Sequence, residues 1–310
     1  MIDIAKKAGC NAVKFQTYIV DQLVSKKTPL ANYQKKMRSK NMNMLLKKYS
    51  FNKDQFIKIN NYCKRKKIIF LSTPFDIESS KFLNLLKVPA FKISSGDLDN
   101  FMLLDYVKKF RKPIIISTGM ASHQKIRRTL KYLNMNKNKL AILHCISDYP
   151  TKISDTQLGN LKYFNKLKYI FGFSDHTIGN ISSNVAVALG AKIIEKHITL
   201  DNNMSGPDHK MSLNCKYLKN FVSDLKSINL SSNNRKRYLT KKEKQLCKIL
   251  RRSLTYKNDL CKNSVLKIED IASVRTNFNG IHCSEYLKVV GKKIKRKVIK
   301  NSFVKENDFY

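Results

Sequence analysis

The chain has 310 residues, 42% of them apolar, which is enough for one large domain and a small one with a buried core and excludes a disordered polypeptide. The formal net charge of +39 raises nucleic-acid binding, but the lysines are spread along the whole chain among many asparagines and isoleucines rather than gathered in a stripe. The charge is therefore read as a biased, solvated surface that attracts anionic metabolites, and nucleic acid is set aside as a partner. No apolar run approaches the roughly 18 residues of a membrane span, no signal-peptide pattern is present, and the seven cysteines contain no C-x-x-C pair. A cytoplasmic protein with reduced thiols, no zinc site and no membrane partner is expected.

In the opening stretch MIDIAKKAGC, Ile2, Ile4 and Ala5 have amphipathic spacing, and Gly9 stands where a helix C-terminus places a glycine. Seven β-branched, apolar runs follow: AVKFQTY (12–18), IIFLSTPF (68–75), PAFKISSG (89–96), PIIISTG (113–119), LAILHCISDYP (140–150), YIFGFSDH (169–176) and AKIIEKHIT (191–199). Helical patterns such as NKDQFIKINNYCKRKK and IESSKFLNLLK lie between them, so strand and helix alternate and a parallel sheet covered by helices is predicted. An open doubly wound sheet and a closed barrel both fit this alternation. Each run ends in polar side chains, however, and a ring of them at all C-terminal strand ends marks a (β/α)8 TIM barrel rather than one switch point. A barrel needs eight strands. The expectation is that the opening helix is the first barrel helix and that the first strand lies upstream of Met1, an N-terminal truncation or a misplaced start.

The barrel is predicted over 1–228 and a polar linker over 229–248. Short alternating runs over 249–310, including RRSLTY and SVLKIEDIASVRT, predict a small β-rich domain. There the segment GKKIKRK is read as the wet face of strands or turns, because Val289, Val290, Ile294 and Val298 interleave with it.

Two of only six histidines, His176 in GFSDHT and His197 in EKHITLD, fall at neighbouring strand ends. Such imidazoles can converge on one divalent metal with open coordination positions, although inward polar groups can also be satisfied core residues. Glu195, His197 and Thr199 share strand parity, as do Ser174 and His176. Lys14 and Lys92 interrupt apolar strands, where an ammonium is costly unless an anion meets it or it snorkels to water. With the hydroxyls of Thr73, Ser95, Ser117 and Ser174 they would form a phosphate- and carboxylate-binding rim, and a small, multiply anionic metabolite is implied. Gly206 and Pro207 form a turn that would present Asp208 above the mouth, either as part of a sugar-binding loop or as an ordinary polar turn.

In order, the segments AGCNAVKFQTY, LSTPFD, PAFKISSGDLDN, KPIIISTGMAS, LHCISDYPT, GFSDHT, GAKIIEKHITLD and GPDHKMSL resemble the sialic acid synthase family, whose members make N-acetylneuraminate and related nonulosonates. The C-terminal region resembles that family's SAF, or antifreeze-like, domain. The resemblance implies condensation of phosphoenolpyruvate with an N-acetylated mannosamine-type sugar, with release of phosphate. It also implies a cytoplasmic, domain-swapped homodimer and Mn2+ (or Mg2+ or Co2+) held by His176 and His197. The positions matching its phosphoenolpyruvate site are Lys14, Thr73, Lys92, Ser95, Ser117, Ser147 and Ser174, and those near the sugar are Gln16, Asp97, Tyr149 and Asp208. Arg275 matches an arginine that reaches the sugar's acyl group from the partner's SAF domain.

The chain departs from the family pattern in several places. Its first-strand glutamate and the following Asn-His segment are missing, Ser147 stands where some members carry Asn, Asn263 and Ser264 replace a Gly-Glu turn, and Thr276 replaces a proline. A catalytically silent homologue that only binds sugar or phosphoenolpyruvate is therefore a second reading. A different phosphoenolpyruvate-dependent aldol condensation is a third, disfavoured because such enzymes generally lack an SAF domain.

Overall fold

All seven apolar runs form parallel strands in the computed structural model, which describes residues 1–30, 39–232, 236–275 and 280–310. They are β1 (Ala12–Thr17), β2 (Ile69–Pro74), β3 (Phe91–Ile93), β4 (Ile114–Ser117), β5 (Leu140–Cys145), β6 (Ile170–Asp175) and β7 (Ile193–Lys196). β1 pairs with β2, and β3 to β7 pair in chain order. The last run does not continue as one strand. It breaks at His197, beyond which β8 (Ile198–Thr199) pairs with β9 (Leu213–Asn214).

Helices cover the sheet, and their ends follow local chemistry. The opening residues form α1 (Ile2–Ala8), closed by Gly9 at φ 85°, a left-handed conformation that glycine adopts without strain. After α2 (Val20–Leu23) and α3 (Met42–Tyr49), the helix α4 (Lys53–Arg65) starts with a reciprocal capping box between Asn52 and Gln55. Asp76 caps α5 (Ile77–Leu85) and also accepts the backbone N–H of Ile19, which ties the end of the β1 region to the end of β2. There follow α6 (Phe101–Lys109), α7 (His123–Leu133), α8 (Leu161–Lys166), α9 (Ile181–Ala188) and α10 (Leu218–Ser231).

Strand parity sorts the side chains. Phe91, Ile93, Ile114, Ile116, Leu140, Ile142, Phe171 and Phe173 are buried in one core with helix residues such as Leu83, Leu104, Leu130 and Phe164, each apolar side chain contributing about 1.5–3 kcal/mol relative to exposure. The alternate set, including Lys92, Ser117, Cys145, Ser174 and Glu195, faces its own cluster. The sheet is curled: α1 packs on α10, and Lys14 of β1 lies 3.6 Å from Glu195 of β7, although these two strands share no ladder among the described residues. The eighth strand of the expected barrel is not among the described residues. No described helix is long and apolar enough to cross a membrane.

The chain divides between Asn233 and Asn234. This division falls within the expected 229–248 linker, whose ends are helical: α10 runs on to Ser231, and α11 (Lys241–Leu250) begins at a Thr240–Glu243 capping box, a helical signal within a polar stretch. In the second unit β10 (Arg252–Tyr256) pairs antiparallel with β11 (Ile271–Arg275), and isolated bridges hold the rest. Its core gathers Leu254, Tyr256, Leu266, Ile294, Val298, Val304 and Phe309. Ile294 and Val298 are buried while the lysines around them are exposed, as expected for GKKIKRK. Thr276 lies outside the described residues.

Candidate active site

A charged floor forms first, inside the curl. Lys92, only 3% exposed, donates to Ser117 Oγ at 2.6 Å and to the carbonyl of Ile93 at 2.9 Å, so this lysine does not snorkel. Glu195 Oε1 accepts from Ser174 Oγ at 2.8 Å and lies 3.6 Å from Lys14 Nζ, and its Oε2 lies 3.9 Å from Lys92 Nζ. Burial pulls Lys92 down to about 8, opposed by the Glu195 charge. For Glu195 burial opposes ionisation, yet Lys14 and Lys92 outweigh it and hold the carboxyl near 2. Sequence reasoning gives Glu195 no role beyond facing inward with His197; the structure makes it the hub that both lysines share. Its strand parity and its position two residues before a histidine were the available signal.

Next to this floor, two serines converge. Ser95 Oγ accepts the backbone N–H of Gly119 at 3.0 Å, and a Cβ at Gly119 would overlap Ser147 Oγ and lie 2.8 Å from Ser95 Oγ. The hydroxyl of Ser147 is buried with no hydrogen-bond partner among the described residues. Such a group costs free energy until something polar meets it.

The imidazole wall stands at the ends of β6 and β7. The rings of His176 and His197 are 5.5 Å apart between centroids, and Tyr149 packs on His176 at 4.2 Å and on His197 at 6.4 Å. His176 Nδ1 is 2.7 Å from the carbonyl of Ile146, to which it donates, and 3.8 Å from Cys145 Sγ. Burial opposes charge on both partners, and their contact acts the other way, drawing the Cys145 thiol down and the His176 imidazole up. Burial, reinforced by the Lys14 and His176 charges, drops His197 to about 3 and keeps it neutral. Asp208, whose carboxyl burial pushes up, places Oδ2 3.7 Å from His197 Nδ1.

Thus Lys14, Lys92, Ser95, Ser117, Ser147 and Ser174 gather with Glu195, and Tyr149, His176, His197 and Asp208 gather beside them. Thr73 is buried opposite exposed Gln16 in the β1–β2 ladder. Both carboxylate oxygens of Asp97 are engaged within its own turn, by Ser94 Oγ at 2.6 Å and Asn100 Nδ2 at 3.0 Å. Arg275 is exposed at the end of β11 in the second unit.

The chain is 36% identical over 301 residues to the N,N'-diacetyllegionaminic acid synthase of Campylobacter jejuni, covering 94% of this chain and 89% of the relative. The crystal structure of the N-acetylneuraminic acid synthetase of Leptospira borgpetersenii, at 30% identity, superposes with a TM-score of 0.69 over 79% of this chain and 82% of that one. Spore coat polysaccharide biosynthesis protein SpsE of Bacillus subtilis, at 26% identity, gives 0.64 over 100% of this chain and 89% of its own. The family model for NeuB matches residues 1–237, so the chain belongs to the NeuB family.

Proposed function

We propose that the chain is an N-acetylneuraminate synthase-type enzyme: it condenses phosphoenolpyruvate with N-acetylmannosamine or a related 2-acetamido sugar and releases phosphate. C3 of phosphoenolpyruvate joins the aldehyde carbon of the open-chain sugar, water adds at C2, and phosphate leaves by C–O cleavage. The observation that carries this reading is the buried hydroxyl of Ser147, without a hydrogen-bond partner among the described residues, which converges with Ser95 above Gly119 next to buried Lys92. Hydroxyls and an ammonium in one water-poor recess suit a phosphate or carboxylate. Ser147, Ser95, Ser117 and Lys92 would hold the phosphate. Lys14 and Ser174 would orient the carboxylate end, and Thr73 would close the rim.

His176 and His197 fit a divalent cation, Mn2+ in the first instance and Mg2+ or Co2+ as alternatives. His197 is neutral, the hydrogen bond from His176 Nδ1 turns Nε2 outward as the ligand atom, and no hydrogen bond engages Nε2 of either ring among the described residues. No group of three or more His, Cys, Asp or Glu that could hold a metal occurs among the described residues, so the protein would supply two ligands and leave the other positions to substrate and water. Bound there, the cation would supply Lewis-acid polarisation of the sugar aldehyde. Tyr149 and Asp208 border the space the sugar would take, with Gln16 and Asp97 beyond them, and the partner's Arg275 would meet the acyl group in a domain-swapped homodimer.

Phosphate release from phosphoenolpyruvate, measured with Mn2+ and N-acetylmannosamine against a metal-free control, tests the proposal. Release that needs both metal and sugar supports it. Alanine at His197 should then lower turnover by at least about 10²-fold, and undiminished activity would overturn the metal assignment. Binding of phosphoenolpyruvate without release under any sugar would favour the catalytically silent reading.

A further inference from the structure

The inward faces of β6 and β7 carry the proposed ligands, and their outward faces carry a buried ion pair that this chemistry does not use. Lys196 Nζ donates to Asp175 Oδ2 at 2.8 Å, and both side chains are almost wholly shielded from solvent, 3% and 0% exposed. Asp175 Oδ1 also accepts Thr177 N–H and Thr177 Oγ1, both at 2.8 Å, while Oδ2 accepts Ser183 Oγ of α9 at 2.6 Å. The same ammonium donates to the carbonyl of Thr177 at 2.5 Å.

The placement of this network matters more than its strength, since a buried ion pair is weak evidence for stability when neutral groups of the same shape could replace it. Asp175 and Lys196 are the last directly opposed pair in the β6–β7 ladder. The next residue on each strand is an imidazole, and β7 breaks at His197. No further ladder bond sets His176 against His197. Lys196 reaches past the ladder to Thr177, so the backbone on both sides of His176 is held from the strand that carries His197. Thr151 extends the brace: its N–H donates to the carbonyl of His176 at 3.0 Å, and its Oγ1 donates to the carbonyl of Asp148 at 2.8 Å, beside Tyr149.

We propose that Asp175 and Lys196 are positioning residues that fix the mutual placement of His176 and His197 and thereby their joint affinity for a divalent cation. The proposal rests on the two-histidine metal reading given above. Without the pair, the two strand ends shift independently and the imidazoles cease to converge on one ion.

Co2+ titration of the metal-free 310-residue chain, followed by visible absorption, tests this. The double variant Asp175→Asn, Lys196→Met leaves no unpaired buried charge. Its Co2+ affinity is expected to fall at least about 10-fold, as for outer-sphere partners of metal ligands, with a changed Co2+ spectrum and retained circular dichroism. Lys196→Arg, which keeps charge and donors, should recover most of the affinity. A folded double variant with wild-type Co2+ affinity and spectrum overturns the proposal. Should the double variant not fold, Lys196→Gln, which is uncharged and whose nitrogen sits one bond closer to the backbone than the ammonium, replaces it with the same criteria. His197→Ala is the separate control: wild-type protein that binds Co2+ no more tightly than this variant refutes the metal reading, and the positioning role falls with it.

Discussion

The floor and the wall of the site are built on opposite electrostatic plans. The floor carries two ammonium groups and one carboxylate, all inside the curl and already satisfied by one another and by Ser117 and Ser174. It retains one net positive charge for an incoming anion. The wall keeps His197 uncharged, because burial and the nearby Lys14 both penalise its protonation. Lys14 therefore serves both regions: it pairs with Glu195 below and suppresses a proton on the imidazole above. One cation positioned between them produces an anion receptor and a neutral nitrogen donor within a few ångströms.

Removing charge from the floor should have the largest effect on that contrast. Lys92→Met is expected to lower kcat/KM for phosphoenolpyruvate by about 10²–10³-fold while leaving Co2+ binding at the wall unchanged; equal losses of both would show that the two regions are not separable. Raising the pH should act on the same group. Lys92 loses its proton near 8, so kcat/KM for phosphoenolpyruvate should fall above that value, by up to about tenfold per unit, since this parameter reports the free enzyme. A profile flat to pH 10 would contradict that assignment.

Changing Lys14 sharpens the link between the regions. Lys14→Met should raise the pKa of His197 from about 3 toward the ordinary imidazole value, seen in the ring resonances of the metal-free protein by nuclear magnetic resonance. In the acid range the sign follows Glu195. Its folded pKa of about 2 lies below the roughly 4.3 of an unfolded glutamate, so its ion pairs stabilise the fold above that ordinary value and are lost as pH falls through about 2. Glu195→Gln should remove this part of the acid-unfolding profile. The smallest effect is expected from Gly119→Ala, whose methyl group meets Ser147 Oγ: KM for phosphoenolpyruvate should rise about 10-fold, and overpacking should cost about 1–3 kcal/mol of stability.

Much of this site was legible because strands alternate their faces. A polar residue in an apolar strand, such as Lys92, has to find a partner, and Ser174, His176, Glu195 and His197 share parity on adjacent strands. Glu195 is less legible as a hub, since the two lysines it meets lie 103 and 181 residues away in sequence and no local pattern announces them. Asp97 shows the converse: an acidic residue at a strand end can be consumed by its own turn, which depends on side-chain conformation rather than residue type. The helix at Lys241–Leu250 is hidden in the sequence because its exposed, lysine-rich surface reads as linker, although the Thr240–Glu243 spacing carries the capping signal.

The sequence by itself determined the parallel strand–helix alternation, the inward residues at the strand ends and the family resemblance, because periodicity and motif order are properties of the chain. Only the tertiary structure decided which charges meet. The pairing of Glu195 with two distant lysines, the neutral state of His197, the lack of a partner for the Ser147 hydroxyl among the described residues and the brace from Asp175 to Lys196 all depend on burial and on distances of a few ångströms. Those quantities arise when the curled sheet brings separate strands together and excludes water between them.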